Sequence, residues 1–177
     1  MPFSEGFISE IRGRTAVFDN KPIGKVHDFI VTKPQDTFPR VDGFVIKTRG
    51  GPRFAPMGQI TDVNDADRVV LTARPSEQPP AEEEALYLVE DLLDKQIVDV
   101  DGRKLVRIND IEVAYTGGAL RVVAADVGLA GLIRRLGFKS LAKKFAPTVL
   151  GRIPRNLIAW DNVAPITDVN PDQVQLS

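Results

Sequence analysis

The sequence predicts a mainly β protein built from two small antiparallel barrels in tandem, the second of which carries a short helical insertion. Three observations predict this fold class. The same order of strand and turn signals occurs twice along the 177 residues. Short apolar runs alternate with turns rich in Gly, Pro, Asn and Asp. About five or six short strands in each copy are typical of a small antiparallel barrel.

The composition is that of a chain that can bury a core, because 43% of the residues are hydrophobic. The 23 Lys and Arg against 24 Asp and Glu give a net charge of -1, which argues against a general polyanion-binding protein. The absence of cysteine excludes disulfides, thiolate metal sites and cysteine nucleophiles. The sequence has no signal-peptide pattern and no apolar run long enough to span a bilayer, so we expect a cytoplasmic protein.

The two copies begin with matching hairpin candidates, 11–31 and 93–113. Aligning Asp19 with Asp101 gives an ungapped alignment of the two segments, in which apolar positions match apolar positions and Asp28 matches Asp110. In each copy an apolar strand leads into a polar turn and then into a second β-rich run, which is typical of a β-hairpin.

Later segments of the two copies also correspond. A central strand is expected at 41–47 in the first copy and at 120–127 in the second. Each copy then contains a related Ile-Thr-Asp-Val-Asn motif, at 60–64 and at 166–170. We therefore expect both copies to have the same order of strands.

The segment between the copies is rich in proline and glutamate and cannot build a core. We therefore predict a first barrel at 1–73, a linker at 74–85 and a second barrel at 86–177, with the insertion at 128–155.

The insertion is predicted to form two short helices. Leucine and isoleucine recur at helical spacing over 129–136. No acidic residue occurs over 128–160. The basic residues of the insertion are Arg134, Arg135, Lys139, Lys143, Lys144, Arg152 and Arg155. An apolar face flanked by cations suits an anionic membrane surface or an acidic protein partner, so we expect binding here. The alternative is that the leucines cover one end of the barrel while the cations face water.

The candidate catalytic and metal-binding residues are interpreted as structural. His27 is the only histidine, and its counterpart Asn109 cannot titrate. The acidic run that begins at Asp62 lacks the glycine and the bidentate glutamate of a calcium loop. Asp28 and Asp110 recur at a place where a carboxylate usually caps a turn or accepts a hydrogen bond from a backbone amide. We therefore expect no enzyme activity, no metal and no cofactor.

The repeated hairpin has the form hydrophobic-Asp-x-x-x-hydrophobic-x-x-hydrophobic-x-Asp-hydrophobic, and it resembles the PRC-barrel family. That family includes the cytoplasmic barrel of the photosynthetic reaction-centre H subunit and the C-terminal domain of a ribosome-maturation factor. The second copy is similar, at 94–102, 106–111, 125–137 and 158–166, to the PRC-barrel region that precedes the MgtE-type magnesium-transporter N-domain and CBS domains in some bacterial proteins. The resemblance implies a cytoplasmic regulatory module linked to divalent-metal transport.

Together, the resemblance and the insertion predict a non-catalytic regulatory or scaffolding module. We expect it to bind a protein partner or an anionic membrane surface, peripherally at the inner face of the membrane, and to belong to a magnesium-transport system. An RNA- or ribosome-associated barrel is a first alternative, although the insertion has no organised aromatic platform for bases. A small-molecule or metal sensor is a second alternative. Either class is compatible with a homodimer.

Overall fold

The computed structural model describes residues 4–32, 36–63, 67–81, 84–98, 105–128 and 157–160. This part of the chain is mainly β, as predicted, with a seven-stranded sheet, a four-stranded sheet and a separate two-stranded hairpin. Its helices are short turns. None of the helices in these ranges has the length and apolar character needed to cross a membrane.

The larger sheet belongs to the first copy, apart from its last strand. Its strands are β2 (Thr15–Phe18), β3 (Lys21–Val31), β4 (Gly43–Thr48), β5 (Gly51–Pro56), β6 (Ile60–Asp62), β7 (Arg68–Leu71) and β8 (Leu86–Tyr87). They are hydrogen-bonded in the order β5-β4-β3-β2-β7-β6, and β8 is added on β3. The two ends of this path are not hydrogen-bonded to each other within the described ranges, so the sheet is not closed there and the tandem barrels stay a prediction.

The smaller sheet belongs to the second copy, apart from its first strand. Its strands are β1 (Glu5–Phe7), β11 (Asp110–Thr116), β12 (Ala119–Asp126) and β13 (Leu157–Ala159), all antiparallel to their neighbours. The two-stranded hairpin consists of β9 (Gln96–Val98) and β10 (Leu105–Arg107). Two short helices complete these elements: α1 (Ile8–Ile11), which follows β1, and α2 (Leu88–Leu92), a π-helical turn that follows β8. A 3₁₀ turn, Met57–Gln59, precedes β6.

The copies exchange equivalent segments. β1 at the start of the chain pairs with β11 of the second copy, where Phe7 faces Glu112. β8 pairs with β3 of the first copy, where Tyr87 faces Ile30. Because β3 and β11 are equivalent strands, β1 with α1 and β8 with α2 occupy equivalent places on opposite copies. The exchange crosses the limits 1–73 and 86–177, and that division of the chain stays a prediction.

The turns that follow the two short helices show the true register of the repeat. The Gly13 amide donates to the Val26 carbonyl (2.9 Å), and the Asp94 amide donates to the Ile108 carbonyl (3.0 Å). Gly13 and Asp94 also share the left-handed backbone, with φ of 82° and 70°. The ungapped register would set Gly13 against Lys95 instead. The predicted alignment of the two copies therefore holds from Val26 onward, but it is shifted by one residue in the part that precedes the hairpin turn.

A common core joins the two copies. Its main cluster contains Phe29 and Phe44 of the larger sheet together with Ile111 and Val122 of the smaller one. The Phe29 and Phe44 rings meet edge to face with their centroids 4.8 Å apart. The buried residues of both exchanged helices belong to the same cluster: Ile8, Ile11, Leu88 and Leu92. The two copies therefore share the apolar burial that stabilises them.

Candidate functional site

The predicted binding residues of the insertion lie outside the described residues. They are Arg134, Arg135, Lys139, Lys143, Lys144, Arg152 and Arg155. Their role as the binding site therefore stays a prediction. The described residues do include the strands that precede and follow the insertion in the sequence, β12 and β13, which pair with each other.

Asp28 holds the helix that the second copy contributes to the first. Its carboxylate lies on β3 and is only 1% exposed. One oxygen, Oδ1, accepts from the amides of Phe29 (2.7 Å) and Val89 (2.8 Å), and Oδ2 accepts from the amide of Glu90 (3.0 Å). Val89 and Glu90 open α2, whose first amides have no partner within the helix. The carboxylate supplies these partners and also complements the positive end of the short helix.

Asp110 plays the equivalent part in the second copy. It is completely buried. Its Oδ1 accepts from the amides of Ser9 (3.2 Å) and Ile111 (2.9 Å), and its Oδ2 accepts from the Ser9 hydroxyl (2.5 Å). Ser9 belongs to α1, the helix contributed by the start of the chain. The prediction that Asp28 and Asp110 accept from backbone amides is confirmed, and each carboxylate binds the segment exchanged from the other copy.

Burial raises the pKa of the Asp28 carboxyl above its ordinary value, because the ionised form is removed from water. The amides of Val89, Phe29 and Glu90 lower the pKa in turn, and so does the nearby His27, but these effects only partly offset the burial. The folded protein therefore binds this proton more tightly than the unfolded chain does.

The second copy has an additional polar network at the exit of the insertion. Asp126 faces Asp110 across β11 and β12, and it is completely buried. Its carboxylate accepts from the Gly128 amide (2.8 Å), and its backbone carbonyl accepts from the Asn109 amide (2.8 Å). The Asn109 side-chain amide donates to the Gly128 carbonyl (2.8 Å). Gly128, the first residue of the insertion, is therefore held through both its amide and its carbonyl.

The first copy lacks this network. The positions that correspond to Asn109 and Asp126 hold His27, which is exposed, and Val45, which is buried in the core. The structural or surface interpretation of His27 agrees with that exposure. Sequence reasoning missed the pairing of Asn109 with Asp126. The available signal was that an Asn and an Asp occupy these two positions together only in the copy that carries the insertion.

Residue clusters that suit a metal ion are not found in the described part of the chain. No group of three or more His, Cys, Asp or Glu side chains there is arranged to hold one. The buried carboxylates Asp28, Asp110 and Asp126 all accept from protein donors instead.

A basic cleft on the first copy was not predicted. It is open, has a volume of about 720 Å³, and lies over β2, β3 and β4. Its charged lining residues are Lys25, Lys47, Arg49 and Arg74, all exposed. Lys47 and Arg49 are close in the sequence, whereas Lys25 and Arg74 are distant from them and are brought to the same place by the fold.

Comparison with protein-family models gives no match, and comparison with curated proteins gives none either. The resemblance to the PRC-barrel family is accordingly part of the proposal that follows.

Proposed function

We propose that the protein is a non-catalytic regulatory or scaffolding module made of two PRC-type barrels in tandem. In this proposal the basic insertion at 128–155 docks on an anionic surface at the inner face of the membrane, as part of a divalent-metal (magnesium) transport system. An acidic protein face is the alternative partner of the same insertion.

The observation that carries the proposal is the polar network at the exit of the insertion. Burying a polar group is unfavourable unless it is hydrogen-bonded, and here Asp126 accepts from the Gly128 amide while Asn109 donates to the Gly128 carbonyl. The first copy forms the equivalent strands with His27 and Val45 at these places, so the sheet does not need the network. The network occurs only in the copy that has the insertion, and it fixes the backbone of Gly128, the first residue of that segment.

The charge of the insertion supports an anionic partner. Residues 128–160 contain no Asp or Glu, whereas the whole chain has a net charge of -1. A basic residue near an anionic membrane contributes on the order of 1 kcal/mol to binding. Several such residues on one segment therefore suffice for reversible docking, and salt weakens docking of this kind.

Sedimentation with vesicles tests the proposal. The wild type is expected to pellet with phosphatidylcholine vesicles that contain phosphatidylglycerol, and to be released by salt. The test variant replaces Arg134, Arg135, Lys143 and Lys144 by Ser. The control variant removes as many exposed cations elsewhere, by replacing Arg12, Lys21, Lys95 and Arg107 by Ser.

The test variant is expected to stay in the supernatant, and the control to pellet like the wild type. If both variants pellet like the wild type, or if the wild type binds no anionic vesicle, membrane docking by the insertion is refuted. Circular dichroism of all three proteins checks that the fold is intact.

A further inference from the structure

The pairing of neighbouring strands brings together the residues that line the basic cleft of the first copy. Thr15 of β2 faces Lys25 of β3, and Lys25 faces Lys47 of β4. Directly opposite residues of an antiparallel pair lie on the same face of the sheet, with Cβ atoms about 4.5–5.5 Å apart. One hydroxyl and two ammonium groups therefore lie in a row across three strands. Arg49, in the turn after β4, and Arg74, after β7, line the same cleft.

This arrangement concentrates positive charge without neutralising it. Like charges directly opposite each other on neighbouring strands are destabilising. The side chains of Lys25 and Lys47 form no hydrogen bond or ion pair with another described residue, and the same is true of the side chains of Arg49 and Arg74. No acidic side chain is among the described residues that line the cleft. An anion from outside would supply the missing counter-charge.

The pair of opposed lysines has no equivalent in the second copy. There the position of Lys25 is taken by Arg107 on β10, and the position equivalent to Lys47 is Gly128, which lies beyond the end of β12. Within the described residues β10 is hydrogen-bonded to β9 and not to β12. The pair is a property of the first copy alone.

Gly24 keeps the two lysine-bearing strands close together. A Cβ at this position would lie 2.4 Å from the backbone carbonyl oxygen of Lys47 and 2.9 Å from a methyl group of Ile46. Contacts this short do not occur in folded proteins, so any larger residue would push β3 away from β4 at the cleft. The close approach preserves the spacing of the cations above it.

We propose that this cleft binds a compact ligand that carries several phosphate groups. Its volume lies in the range of small-molecule sites, which is roughly 300–1,000 Å³. Guanidinium groups match phosphate oxygens with paired donors, and lysines add compact charge. The Thr15 hydroxyl, which has no partner among the described residues, adds a neutral donor. No aromatic side chain is among the described lining residues, so these residues offer no aromatic platform for a nucleobase.

The phosphate groups can belong to a free metabolite or to the headgroup of a phosphoinositide, and the experiment separates these sources. Binding of the full chain to inorganic tripolyphosphate is measured by isothermal titration calorimetry. Binding to phosphatidylcholine vesicles, with and without phosphatidylinositol bisphosphate, is measured by flotation. Sulfate is titrated as a probe of simple charge attraction.

The test variant is Lys25→Ser with Lys47→Ser, and the control is Lys95→Ser with Arg107→Ser, a pair of exposed cations of the second copy. Loss of two charge-assisted contacts is expected to weaken binding of tripolyphosphate roughly tenfold or more. The control is expected to bind like the wild type. Lys25→Arg with Lys47→Arg is expected to retain binding, because the charge remains.

Binding of tripolyphosphate supports the cleft as a site for a free phosphorylated ligand, and binding only to phosphoinositide vesicles supports a lipid headgroup. The proposal is overturned if the wild type binds neither probe, if the cleft variant and the control lose binding equally, or if sulfate binds as tightly as tripolyphosphate. The insertion variant with Arg134, Arg135, Lys143 and Lys144 replaced by Ser separates the two proposals. It is expected to bind tripolyphosphate normally whether or not the insertion docks on membranes.

Discussion

Removing the Asp28 carboxylate is expected to loosen the joint between the two copies. In Asp28→Ala the amides of Val89 and Glu90 lose their acceptor at the start of α2. The amide of Phe29 also loses its hydrogen bond to this carboxylate. One buried donor left without a partner costs about 1–3 kcal/mol, and loss of a helix cap costs about 0.5–2 kcal/mol. Relief of the buried charge offsets part of this loss. The free energy of unfolding should therefore fall by about 2–4 kcal/mol.

A loss of this size is readily measured, because the whole domain is stabilised by only about 5–15 kcal/mol. Urea unfolding can be followed by the fluorescence of Trp160, the one tryptophan of the chain, which is buried in the shared core. The matched control is Glu5→Ala, which removes an exposed acidic residue from β1. It should change the free energy of unfolding by less than about 0.5 kcal/mol.

A second readout separates loss of the joint from a general loss of packing. Hydrogen exchange of the Val89 and Glu90 amides should accelerate in Asp28→Ala more than exchange in β12, because these two amides lose their own hydrogen bonds. The reasoning is refuted if Asp28→Ala unfolds like Glu5→Ala, or if the protection of Val89 and Glu90 is unchanged.

Three further predictions use the same unfolding assay. Because burial raises the pKa of Asp28, the stability of the wild type relative to Asp28→Asn should rise as the pH falls from neutral towards the ordinary carboxyl range. This gain is lost as the pH rises through the folded-state pKa, and a stability difference that does not change with pH would contradict the prediction. Asn109→Ala should cost about 1–3 kcal/mol through the lost bond to the start of the insertion, whereas His27→Ala at the equivalent exposed position should be nearly neutral. Gly24→Ala should cost about 1–3 kcal/mol through its clash with β4, whereas Gly58→Ala, with open space around it, should not; equal effects would exclude the clash.

The repeat was visible in the sequence because its hairpin has strong local signals. The turn predicted at Asp19 is a two-residue connection, Asp19–Asn20, with φ of 51° and 55°, the left-handed backbone that Asp and Asn tolerate best. The strands expected at 41–47 and 120–127 are observed within one or two residues, as β4 and β12. β4 begins with a continuous buried run and β12 alternates over most of its length, and both are local patterns that can be read from one sequence.

The exchanged segments could not be predicted in the same way. β1 has three residues and β8 has two, which is too short for a periodic signal. Their partners are chosen by the shared core and by the buried carboxylates of the opposite copy, and these are tertiary effects. The acceptor role of Asp28 was predicted, but its donors at Val89 and Glu90 were not, because they come from the other copy.

The basic cleft, like the exchanged segments, could not be predicted from the sequence. Lys25 and Lys47 are ordinary surface residues in the sequence, and neither lies in a cluster of charge. Only the pairing of β3 with β4 sets them opposite each other, and only the turn after β4 adds Arg49. The insertion, by contrast, was conspicuous because its seven cations lie within one segment that contains no acidic residue. Sequence reasoning therefore favours contiguous sites over sites assembled from several strands.

The exchange of segments connects the basic cleft of the first copy with the insertion of the second. β3 carries Lys25 on its exposed face and, three residues later, the Asp28 carboxylate that holds α2. α2 continues through a tight turn into β9 of the second copy. Asn109, between β10 and β11, bonds to Gly128 at the start of the insertion. The cleft and the insertion are thus attached to one core by a short succession of hydrogen-bonded elements. Because the carboxylate of each copy holds a segment of the other, the described residues of the two copies stabilise each other and should unfold together.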